Sequence, residues 1–72
     1  MNVYLVRYKL KMAGYSEGDQ ATSGGYFDTH HAVMVPASSA GGALKVAAAY
    51  VSRTTNHPAV INRKPELLVE NV

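Results

Sequence analysis

AVMVPASSAGGALKVAAAYV, residues 32–51, carries an apolar, β-branched run through Pro36 and two serines into an alanine-rich stretch. It reads as strand, turn and helix. A proline lacks the N–H that a sheet ladder needs, so Pro36 is expected to end the strand. Ser38 or Ser39 then caps the helix by accepting a hydrogen bond from a free backbone N–H of its first turn. The helix is expected to run to about Arg53, with Ala40, Ala43, Leu44, Ala47, Ala48 and Val51 on one stripe. Five of those six are alanine or valine, and such small side chains let a helix axis lie close to the surface it covers.

Upstream, Val3 to Met12 alternates, with Tyr4, Val6, Tyr8, Leu10 and Met12 on one face and Arg7, Lys9 and Lys11 on the other. Side chains of a strand point alternately to its two faces, so this is a half-buried strand with an apolar side and a basic stripe. Tyr26 to Val35, rich in aromatic and β-branched residues, makes the second strand of a long antiparallel hairpin. Between them Ala13 to Gly25, AGYSEGDQATSGG, holds four of the six glycines and no sustained period, and is expected to be a flexible loop. Downstream, RTTNHP is a connection, a short strand is possible near Val60, and Glu66 to Val72 reads as a closing strand that Pro65 introduces. The expected fold is a single α+β domain over residues 1–72. Its antiparallel sheet has three to four strands in ββαβ order, with the alanine-rich helix packed on one face.

With 72 residues and no cysteine, the chain has no disulfide framework and no thiol for a zinc or redox centre, so packing or self-association must hold it together. A homodimer through a strand edge is expected on those grounds. Every apolar run is too short to span a bilayer, and Arg7 and Lys9 interrupt any signal-like segment, so no membrane association and a cytoplasmic location are expected. A net charge of +2 is mild and demands no anionic partner.

Several groups of residues bear on function. Arg7, Lys9 and Lys11 along one strand face suit an acidic protein surface or a linear polyanion such as nucleic acid, although the same stripe also serves to guard a strand edge. Tyr15, with Glu17 and Asp19, sets an aromatic beside charges in the glycine-rich loop, a composition common at contact hot spots. Ser38, Ser39, Gly41, Gly42 and Lys45 lie at a helix N-terminus, where free N–H groups favour an anion. They lack the spacing of a nucleotide-binding loop, and a close helix–sheet contact accounts for the glycines as well. Asp28 and His30 share a strand face and with His57 have the donor types of a zinc or iron site, without a second-shell pattern. No serine stands in a nucleophile elbow or beside an ordered base, so no enzyme and no cofactor are expected.

MNVYLVRYKLK, the glycine-rich tip and AVMVPASSAGGALKVAAAYV together resemble the general build of small phage-encoded accessory proteins, including several anti-CRISPR inhibitors. The resemblance covers residues 2–12 and 32–52 and lies in their organisation. It implies a non-enzymatic binding module that occupies the surface of a host defence protein or ribonucleoprotein. Direct, sequence-tolerant binding of nucleic acid by the basic strand face is the alternative.

Overall fold

The computed structural model describes residues 1–13 and 26–71. Two strands of 12 residues, β1 (Asn2–Ala13) and β2 (Tyr26–Ala37), pair antiparallel without interruption from Asn2 opposite Ala37 to Ala13 opposite Tyr26. Helix α1 follows at Ala40–Thr54, then β3 at Ala59–Ile61 and β4 at Glu66–Val69. β3 pairs with Tyr8–Leu10 and β4 with Val3–Leu5. Since β2 occupies one side of β1 throughout, β3 and β4 lie end to end along the other. The result is the expected antiparallel sheet of four strands with one helix, in the order ββαββ.

The register sorts every side chain of the hairpin. Tyr4, Val6 and Leu10 are buried on one face with Val35 and Ala37 opposite, and α1 covers that face through Ala43, Ala47 and Val51. Of the expected helical stripe, Leu44 is half-buried while Ala40 and Ala48 are exposed, so the buried seam is narrower than the sequence pattern. Ala43 and Ala47 are wholly buried, and a methyl group at Gly42 would come within 3.8 Å of the Ala37 Cβ, which marks a close approach of helix to sheet. A helix of 15 residues spans roughly 22 Å, against about 40 Å for a strand of 12. The helix starts next to Ala37 and so runs out before the far end of the hairpin, where Phe27 is left 50% exposed.

Two strand ends depart from expectation. Pro36 does not end β2, which continues to a buried Ala37. The reason lies in the ladder: Arg7 accepts from the Asn62 N–H at 2.9 Å and Lys11 donates to the Pro58 carbonyl at 2.9 Å. Odd residues of β1 therefore bond towards β3, and even ones towards β2. Val3, which faces Pro36, is odd, so the nitrogen of Pro36 points away from β1 and no bond is lost. At the other end β4 stops at Val69, because Asn71 takes φ 55, a left-handed conformation that asparagine tolerates and no strand contains. The Asn71 N–H is held by Asn2 Oδ1 at 2.9 Å. Among the described residues no helix is long and apolar enough to cross a membrane.

Candidate docking face

The face of the sheet opposite α1 is covered by nothing in the described chain. Cross-strand pairing arranges it in five rungs. Pro36, Val3 and Val69 form the first; Met34, Leu5 and Glu66 the second. Ala32 and Arg7 form the third, which Asn62 extends through its bond to the Arg7 carbonyl. His30, Lys9 and Val60 form the fourth, and Asp28 with Lys11 the fifth. The face therefore grades from an apolar end to a charged one. Met34 and Val60 on it are 67% and 64% exposed.

The basic stripe lies here as expected, but it is not an unbroken run of positive charge. Arg7 Nη2 stands 3.5 Å from Glu66 Oε1, and Lys11 faces Asp28 across the hairpin. Among the described residues Lys9 is the one of the three with no carboxylate opposite; its neighbours are His30 and Val60. Arg7, Lys9, His30, Val60 and Asn62 line a shallow, open hollow of about 370 Å³. Its cationic rim and apolar wall suit a side chain or short segment that is partly apolar and partly acidic.

The remaining sequence candidates fall elsewhere. Tyr15, Glu17 and Asp19 lie outside the described residues. Ser39, not Ser38, is the N-cap of α1, and its Oγ accepts from the Gly42 N–H at 3.1 Å. That bond uses one of the donors an anion would need. Gly41 and Lys45 are exposed. Asp28 and His30 do share the open face, yet His57 is not brought to them. It lines a separate hollow with Val51, Thr55 and Ile61 below the helix end. Among the described residues no three histidine or acidic side chains are grouped to hold a metal ion, which corrects the joint site of Asp28, His30 and His57.

The apolar end of the face was missed in the sequence. Val3 and Leu5 have the same parity as Arg7, Lys9 and Lys11, so their place on this face was readable from the alternation alone. Met34, Val60, Glu66 and Val69 join it only through strand pairing. Comparison with protein-family models, characterised proteins and solved structures finds no match to this chain.

Proposed function

We propose that this protein is a small binding module that docks on a protein surface through the open face of its sheet. The observation that carries the reading is the composition of that face. Its three cations are accompanied by two carboxylates, Glu66 and Asp28, and stand beside exposed Met34, Val60 and Val69 and half-buried Val3 and Leu5. A nucleic-acid surface gains affinity from counterion release by unopposed cations, and a carboxylate beside each outer cation works against that. A protein interface instead sets apolar contact area beside polar, solvent-accessible groups, with Met and Arg enriched and Lys, Glu and Asp depleted, so the apolar end with Met34 and Arg7 is the part of this face that fits one. The resemblance to phage-encoded inhibitors extends the reading to its partner, a host defence protein or a ribonucleoprotein engaged on its protein part. Arg7, Lys9 and Lys11 would set orientation and encounter rate, with Leu5 and Met34 supplying buried apolar area.

Recovery of the tagged chain from lysate of its native host, with and without nuclease at physiological salt, tests this. Retention of a protein partner after nuclease is the expected result. Loss of all bound material on nuclease treatment would favour nucleic-acid binding. In that case Arg7→Ala with Lys9→Ala would weaken association with any oligonucleotide and flatten its salt dependence.

A further inference from the structure

Among the described residues the outer edge of β2 is the longest unpaired strand edge. Since even residues of β1 bond to odd residues of β2, the backbone N–H and C=O groups of Asp28, His30, Ala32 and Met34 point outward, with no strand beyond them among the described residues. Natural edges are blunted by lysine, proline, bulges or brevity. The opposite edge of the sheet uses brevity, since it is split between a strand of three residues and one of four with an irregular register. β2 has only Pro36, near its end, and from Asp28 to Met34 carries neither lysine nor proline.

We infer that this edge pairs antiparallel with β2 of a second copy of the chain, about a two-fold axis at Thr29. Outward residues must meet outward residues, so only registers that place even positions opposite even positions are open. The register centred on His30 puts His30 against itself, and the one centred on Asp28 puts two carboxylates together. Centring on His31 sets Asp28 against Met34, and centring on Ala32 sets it against Pro36, which has no N–H to give. Only the register centred on Thr29 puts Asp28 opposite His30, and two-fold symmetry makes that carboxylate–imidazole contact twice. The same register sets Phe27, half-exposed beyond the helix end, against His31 of the other copy. The His31 ring already stacks on Tyr8 at 5.3 Å between centroids and is fixed by Thr29 Oγ1 at 2.8 Å from its Nε2. It is thus a preorganised platform for an aromatic neighbour. In this register Tyr26–Ala32 of one copy pairs with Ala32–Tyr26 of the other, and the two sheets join edge to edge with their open faces side by side. This pairing concerns the edge and does not depend on what docks on the face.

Sedimentation equilibrium of the full chain over a wide concentration range reads the self-association directly. A monomer–dimer equilibrium is expected. Ala32→Pro removes an outward N–H but no bond to β1, as Pro36 already does, and should weaken the dimer by about tenfold or more while leaving the circular dichroism spectrum unchanged. Asp28→Lys should weaken it too, and the double exchange Asp28→Lys with His30→Asp should restore it by returning opposite charges to each contact. A chain that stays monomeric at all concentrations overturns the inference. So does a dimer indifferent to Ala32→Pro, or one that the double exchange does not recover after Asp28→Lys has weakened it.

Discussion

Arg7 and Glu66, 59 positions apart in sequence, meet on the open face at 3.5 Å, where the guanidinium of β1 reaches the first residue of β4. Both side chains are more than half exposed, so solvent screens the pair and its main effect is on the charge of the face. Glu66→Gln should change unfolding free energy by less than about 1 kcal/mol, measured by urea denaturation. A larger loss would mean that the pair anchors β4, which contributes only exposed residues of its own.

Val6 is fully buried between the two strands and α1, whereas Val60 lies 64% exposed on the opposite face. Val6→Ala should cost about 2 kcal/mol, from lost transfer energy and the cavity left behind. Val60→Ala should cost less than about 0.5 kcal/mol. In a domain this small the first loss is a large fraction of total stability, and thermal denaturation of the two variants separates them.

Ala47 has no exposed surface and packs in the core cluster with Tyr4, Val6, Val35, Ala37 and Ala43. Ala47→Leu should destabilise by about 1–3 kcal/mol through overpacking. Ala48→Leu, one position on and exposed, should be close to neutral, and equal effects at both sites in chemical denaturation would contradict the packing described.

At the start of α1 the serines and glycines are separable. Ser39→Ala loses the bond to the Gly42 N–H and should cost about 1 kcal/mol, while Ser38→Ala should be near zero. A methyl group at Gly41 meets nothing within 4 Å, so Gly41→Ala should stabilise by about 0.5–1 kcal/mol. Urea midpoints of the three variants check the order.

Much of the fold was legible in the sequence because its main elements obey one period each. The alternation from Val3 to Met12 and the stripe of Ala40, Ala43, Leu44, Ala47, Ala48 and Val51 point to both buried surfaces before any pairing is known, although of that stripe only Ala43, Ala47 and Val51 are buried. Pro36 misled because the effect of a proline depends on which way its nitrogen points, and that is a property of register. β3 is too short to carry a period, and is held by Pro58 and Asn62 bonding to either side of it. The candidate face was half legible for the same reason. Its β1 column follows from parity, but that Glu66 and Asp28 stand beside two of the three cations follows only from pairing across strands. Those two carboxylates turn a stripe of one sign into a surface of both signs.

Two exposed apolar residues on opposite sides of the molecule give the most direct test of the docking face. Met34 lies on the open sheet face at 67% exposure and Val46 on the outer side of α1 at 49%. A charge at either site should leave the fold intact, because neither side chain is buried. The measurement is recovery of the nuclease-resistant partner by tagged Met34→Glu and Val46→Glu in parallel with the unaltered chain. Docking through the open face predicts that Met34→Glu loses the partner and Val46→Glu keeps it; retention by Met34→Glu, or loss through Val46→Glu alone, would contradict that docking.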